Sequence, residues 1–197
     1  CYGDLVIVFN GAIYNFPELK AELRRLNYHF TTETDTEVIL AAYQQWGTSC
    51  VNRFNGQWAF AIYDNAKKII FCSRDRFGIK PFYYSSFGNQ FHFASEIKAF
   101  FHLPTWERKL NHVRTYEYLV YGLHNHTSET LYEGVHQLPQ ASSLIYDLRT
   151  HSYRIERYYD VEEQILDVPN RFEEARDQFS DLFKNAVDLR MRADVTT

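Results

Sequence analysis

The first long apolar run of the chain, Leu5-Val6-Ile7-Val8-Phe9, has no polar alternation, which is the pattern of a strand buried on both faces. It meets Asn10-Gly11, a dipeptide that tolerates positive φ and predicts a sharp turn at the strand's end. Asn15 then stands where a helix cap would, with Pro17 in the first turn and Glu18 three residues on. Leu19, Leu23 and Leu26 share one face of the helix this predicts over 16–26. Residues 28–32 read as a short strand or extended link. Thr34 and Glu37 have the spacing of a capping box. The helix behind them carries Ile39, Ala42, Tyr43 and Trp46 on one face and stops at Gly47.

After a helical turn at 51–54, closed by Asn55-Gly56, the period changes to two. Segments 57–63 and 68–73 predict a hairpin, as do 81–86 with 90–94 around Gly88-Asn89, and 142–147 with 151–158. A run of hairpins implies a largely antiparallel sheet. A short helix at 97–101 and a longer one at 111–121, ending at Gly122, lie between them. Residues 160–170 are acidic and aperiodic and read as a linker. Residues 171–192 read as one amphipathic helix with the stripe Phe172, Ala175, Phe179, Leu182, Phe183, Ala186 and Val187. Glu173 and Glu174 open it and Lys184, Arg190 and Arg192 close it, as the helix dipole prefers. Such a stripe is expected either to be exposed and sticky or to dock back on the first domain.

Composition narrows the class. Of 197 residues, 45% are hydrophobic and 17% aromatic, ample for a core. The net charge of −4 is interspersed, so there is no electrostatic footprint for nucleic acid. No apolar run has membrane-spanning length and no signal-peptide pattern is present. Cys1, Cys50 and Cys72 are an odd set without framework spacing, which suits a reducing cytoplasm. His124 and His126 lack neighbouring Cys, so no zinc or other metal site is expected, and there is no phosphate-binding Gly-rich loop. The chain begins with Cys rather than Met and ends at Thr197, and both ends read as cut.

Candidate chemistry sits at the start. A buried strand delivering the Asn10 side chain and the Gly11 N–H to one rim supplies two convergent donors, as an oxyanion hole requires. The plain alternative is an Asn-Gly turn. Asp35 is a first-turn acid that complements the helix dipole.

Four segments then resemble a known family. N-G-x-I-Y-N at 10–15, T-D-T-E-V-I-L at 34–40, R-D-R-F-G-I-K-P-F-Y-Y at 74–84 and F-A-S-E-I-K-A at 93–99 are similar, in order and spacing, to the glutamine-hydrolysing asparagine synthetases. The match is to the later part of their N-terminal glutaminase domain, a class II glutamine amidotransferase of the N-terminal-nucleophile hydrolase type. It spans roughly the first half of the chain. The second half agrees more loosely, through His126-Thr127-Ser128-Glu129-Thr130-Leu131. Gln140-Ala141 stands where the family often has Pro-Gly, which puts the turn geometry there in question.

The resemblance implies an α+β fold, a partial four-layer αββα sandwich over 1–160. A linker at 161–170 and the first helix of an ATP-dependent synthetase domain over 171–197 would follow. It implies that Asn10 and Gly11 stabilise the oxyanion and contact glutamine, that Asp35 grips the glutamine α-amino group, and that the 74–78 motif is architecture. Ala12 replaces a Glu common in the family, so a carboxylate that helps hold substrate is missing. The family's catalytic Cys starts an earlier strand. Cys1 is not favoured as nucleophile, because nine extended residues at about 3.3 Å each put it roughly 30 Å from Asn10. ATP and Mg²⁺ would belong to the synthetase domain, with none bound by this chain. Implied partners are glutamine and the rest of that domain, in a cytoplasmic protein with no membrane or nucleic-acid partner; a homodimer stays open. The chain is thus expected to be a fragment of asparagine synthetase, inactive alone. Two alternatives remain: a stand-alone amidohydrolase using Cys1, and a non-catalytic scaffold that keeps the fold.

Overall fold

The computed structural model describes residues 3–87, 89–104, 106–164 and 168–191, so Cys1, Gly88 and Arg192 lie outside the described residues. Two antiparallel sheets carry the fold. The larger has the order β1 (Leu5–Ile13), β2 (Gly56–Asp64), β3 (Ile69–Arg74), β7 (Ser142–Asp147), β8 (Ser152–Arg157). The smaller has β5 (Gln90–Ala94), β4 (Tyr83–Phe87) and β6 (His136–Gln137). The hairpins therefore divide: the first and third join through β3 and β7, and the second forms the other sheet.

Alternation along β2 explains the layers. Trp58, Phe60 and Ile62 point to one face, where they meet Leu19 and Leu23 of α1 (Phe16–Arg25) and Val38 to Tyr43 of α2 (Asp35–Trp46). Ala59 and Ala61 point to the other, where their small size admits Phe82 and Tyr84 of the smaller sheet. Cys72, Leu144 and Tyr146 complete this inter-sheet core, with the Phe91 ring stacked 4.6 Å from Tyr146. A 3₁₀ turn at Ile97–His102 lies against β5 and buries Phe100. The chain is thus α+β, a partial sandwich of two stacked antiparallel sheets with helices outside.

The structure differs from the sequence expectations in four places. First, β1 does not stop at Asn10-Gly11 but runs through it to Ile13. Gly11 has φ +152°, a conformation open to glycine, and a Cβ there would strike Gln57 O and lie 2.8 Å from the Trp58 Cα. Gly56 matches it on the partner strand, where a Cβ would strike Ala12 O and lie 2.9 Å from the Ile13 Cα. The two strands run together because neither carries a side chain at its crossing point. Second, β1 is not buried on both faces: Val6 is 45% and Val8 56% exposed, while Leu5, Phe9 and Ile13 face the helical core.

Third, Asn15 occupies the N-cap position of α1 without a capping bond. Its amide instead donates to Arg53 O at 2.9 Å and accepts from Asn55 N at 2.8 Å, tying the end of β1 to the start of β2. Fourth, α2 is buried beyond a single face, with every residue from Val38 to Tyr43 enclosed. Of the two readings of residues 28–32, the extended link holds, since they join no strand. The questioned turn is also resolved: Ala141 is buried with φ +55°, a left-handed conformation that costs an L-residue about 1–2 kcal/mol.

Two helices lie apart from these cores. α3 (His112–Tyr121) and α4 (Phe172–Arg190) bury no residue. On α4, Phe172 is 77% and Phe179 69% exposed, so the first of the two outcomes expected for its stripe is the one observed. The far end of α4 meets the sandwich where the Arg190 guanidinium lies 5.2 Å from the Tyr14 ring centre. No helix among the described residues is long and apolar enough to cross a membrane.

Candidate functional site at the free edge of the first strand

β1 is the outermost strand of the larger sheet among the described residues. In an antiparallel pair, alternate residues aim their N–H and C=O at the partner. Tyr14 N donates to Asn55 O at 2.7 Å and Asp4 O accepts from Asn65 N at 3.2 Å, so the even-numbered residues face β2. The odd-numbered N–H groups, those of Gly11 and Ile13 included, therefore point out of the free edge. Ile13 shows this directly, because its N–H donates to Asp35 Oδ2 at 3.0 Å.

That bond fixes where Asp35 stands. It is the first residue of α2, and its carboxylate reaches across to the free edge of β1 two residues beyond Gly11. Oδ2 is engaged by Ile13, and among the described residues Oδ1 meets the Thr36 hydroxyl, at 3.5 Å. One carboxylate oxygen is thus structural and the other is available at the rim.

Asn10 pairs with Ala59, so its side chain lies on the inter-sheet face of β1. There it borders a recess of about 290 Å³ walled by Val8, Ala61, Phe82, Phe93 and Ser95. Ala12 shares the face of Asn10, two residues on. Asn10 and Gly11 thus present a side-chain amide and a main-chain N–H at adjacent positions, around the same edge that Asp35 guards. Among the described residues Asp35 does not line the recess that Asn10 borders.

The loop leading into Asp35 is held by two charged side chains. Thr34 Oγ1 accepts from Glu37 N at 3.4 Å, as a capping box predicts. The Glu37 carboxylate, however, passes the cap and accepts from Thr31 N at 2.9 Å and Thr32 N at 2.7 Å, and from both threonine hydroxyls. Burial opposes its ionisation, but these hydrogen bonds outweigh it and hold the carboxyl down to about 2. The buried Lys20 ammonium also holds the loop: it donates to Thr32 O at 2.6 Å and pairs with Glu33 at 2.8 Å.

The R-D-R-F-G motif is built as a brace. Asp75 is buried and accepts from the N–H groups of Phe77, Ile79 and Lys80. Arg74 donates to Gly78 O, Lys80 O and Leu138 O, and Arg76 donates to Phe54 O. Cys1 lies outside the described residues, so its distance from Asn10 is not part of this geometry.

Four of these features escaped sequence reasoning: the Gly56 crossing, the Asn15 clamp, the second role of Glu37 and the burial of Lys20. Gly56 carried a signal, since it sits in an Asn-Gly pair like Gly11, but that pair also spells an ordinary turn.

Comparison with known proteins gives this edge a context. A Methanocaldococcus jannaschii protein, provisionally named glutamine-hydrolysing asparagine synthetase 2, is 40% identical over 195 residues, covering 98% of this chain and 36% of that protein. Glutamine-hydrolysing asparagine synthetase 3 of Bacillus subtilis is 32% identical over 189 residues, covering 96% of this chain and 30% of that protein. The chain spans about a third of the length of these curated relatives. A solved structure of glutamine phosphoribosylpyrophosphate amidotransferase from Bacillus subtilis, complexed with ADP and GMP, shares the fold with a TM-score of 0.56 at 20% identity, over 79% of this chain and 29% of that one. Residues 1–159, which hold both sheets and the free edge of β1, match the glutamine amidotransferase domain, and the chain belongs to that family.

Proposed function

We propose that this chain is the glutamine-handling part of a glutamine-hydrolysing asparagine synthetase, with residues 1–160 as the amidotransferase domain, 161–170 as linker and 171–197 as the start of the synthetase domain. The observation that carries the reading is the Ile13–Asp35 bond, which stations a carboxylate three residues along the edge from Asn10. That interval is about 10 Å at 3.3 Å per residue. An extended glutamine runs about 5 Å from amino nitrogen to amide carbon, and a hydrogen bond adds about 3 Å at each end. The substrate therefore spans the interval with its ammonium on Asp35 Oδ1 and its amide at Asn10 and Gly11.

Attack by a thiol on that amide carbon puts negative charge on the carbonyl oxygen. The Asn10 side-chain N–H and the outward Gly11 N–H receive it; the proton given up by the thiol passes to the amide nitrogen, the C–N bond breaks to release ammonia, and water later cleaves the thioester to glutamate and free thiol. The thiol comes from outside the described residues and is not assigned to Cys1. Ala12 leaves the Asn10 face without the carboxylate many relatives carry, so glutamine is held by fewer charges. ATP and Mg²⁺ serve the acceptor half of the reaction. A cytoplasmic setting completes the proposal.

The test is ammonia release from glutamine by the full-length protein that contains this chain. Asn10→Ala is expected to lower kcat by about 10²–10³ with KM little changed, and Asp35→Asn to raise KM. The 197-residue chain alone is expected to be inactive. Turnover by it that disappears in Cys1→Ala would replace this reading with the stand-alone amidohydrolase.

A further inference from the structure

A lysine is almost never fully buried without a partner. Lys20 is 3% exposed, and what it meets is a loop: Thr32 O and Glu33 at its ammonium, and the Phe30 ring 5.2 Å away. The same loop is also gripped by Glu37, which takes both amide protons and both hydroxyls of Thr31 and Thr32. Cation and anion thus both hold residues 31–33. The loop belongs to no helix or strand, and it delivers the chain straight into Asp35.

Helix capping does not explain this arrangement. Thr34 already caps α2, and a carboxylate three residues after a cap ordinarily returns to the cap's own N–H. Glu37 reaches further upstream, so its work is on the loop. The loop's precision matters only at its end, where Asp35 must hold one oxygen on Ile13 N–H and offer the other at the rim. We infer that Lys20 and Glu37 are positioning residues for the amine end of the substrate, setting the selectivity of this site for an α-amino acid over the same amide without its amino group. The inference rests on Asp35 being the amine ligand.

Glu37→Gln keeps the shape but turns an amide nitrogen toward the N–H of Thr31 or Thr32, donor against donor. The loop must then shift, and Asp35 with it; a displacement of about 1 Å at a substrate contact costs on the order of tenfold or more.

The experiment compares full-length wild-type protein with Glu37→Gln, Lys20→Met and Asp35→Asn. Each is assayed for kcat/KM on glutamine and on 5-amino-5-oxopentanoate, which is glutamine without its α-amino group. Glu37→Gln and Lys20→Met are expected to lower the preference for glutamine by roughly tenfold through KM, and Asp35→Asn to lower it further. If Asp35→Asn collapses the preference while the other two leave it unchanged, or depress both substrates equally, the positioning role is wrong and the amine-ligand reading survives. If Asp35→Asn leaves the preference intact, that reading fails and takes this inference with it. Should Glu37→Gln not fold, Thr31→Val removes the hydroxyl that donates to Glu37 at 3.1 Å. It should shift the preference in the same direction by a smaller factor, and no shift would overturn the proposal.

Discussion

α2 and α4 make opposite use of similar material. α2 has 12 residues and encloses six in a row, Val38 to Tyr43. α4 has 19 residues and encloses none, although Phe172, Phe179, Leu182, Phe183 and Val187 give it a longer apolar stripe. The ends differ as well. Thr34 caps α2, and Gly47 closes it at φ +60°. Arg171 precedes α4 without a capping bond. Burying a large apolar side chain contributes about 1.5–3 kcal/mol, so five of them on α4 represent on the order of 10 kcal/mol that no described part of this chain collects. An amphipathic period predicts that a helix exists, but its burial depends on what the rest of the chain brings against it.

The sharpest way to test this contrast is truncation in α2. Ile39 is fully enclosed, and Ile39→Ala should cost about 2–5 kcal/mol, measured by urea unfolding. A cost under 1 kcal/mol would mean that the α2 core is looser than drawn.

Acid should act next, through the anchored start of α2. Glu37 ionises near 2 in the folded chain against an ordinary 4.5. Between those values the unfolded chain binds a proton that the folded one refuses. The contribution is therefore complete above about pH 4.5 and is lost as pH falls toward 2. After screening at a partly exposed site it amounts to about 1–2 kcal/mol. Glu37→Gln should flatten that limb of the stability curve, and an unchanged acid limb would contradict the hydrogen bonds described for Glu37.

The smallest effect is expected on α4. Leu182 is 61% exposed, and Leu182→Ala should change stability by less than about 0.5 kcal/mol. A cost near that of Ile39→Ala would show that α4 packs against something in solution and would erase the contrast.

What could be read in advance follows the same division between local and distant causes. α2 was legible because its cap and its terminating glycine both lie in its own sequence. β1 was cut short at Phe9, since Asn10-Gly11 is locally a turn; pairing of residues 10–13 with 56–59 of a distant strand makes it a continuation. Asn15 looked like a cap because its real partners, Arg53 and Asn55, are far along the chain. The hairpins were visible, but their division between two sheets was not, because pairing of β3 with β7 leaves no local trace. Of the candidate site, Asn10, Gly11 and Asp35 stood out through motif resemblance. Lys20 did not, because a lysine on an amphipathic helix normally reads as solvated.

Gly11 of β1, opposite Trp58, and Gly56 of β2, opposite Ile13, bear on how any mutational library of this protein should be interpreted. Positions 11 and 56 will be depleted of every replacement even when clones are selected for folding alone, since the first carbon of any side chain collides with the opposite backbone. Intolerance at Gly11 is therefore silent about catalysis. Asn10, exposed and free of that collision, is where a folding screen and an activity screen should part company: permissive in the first, restrictive in the second.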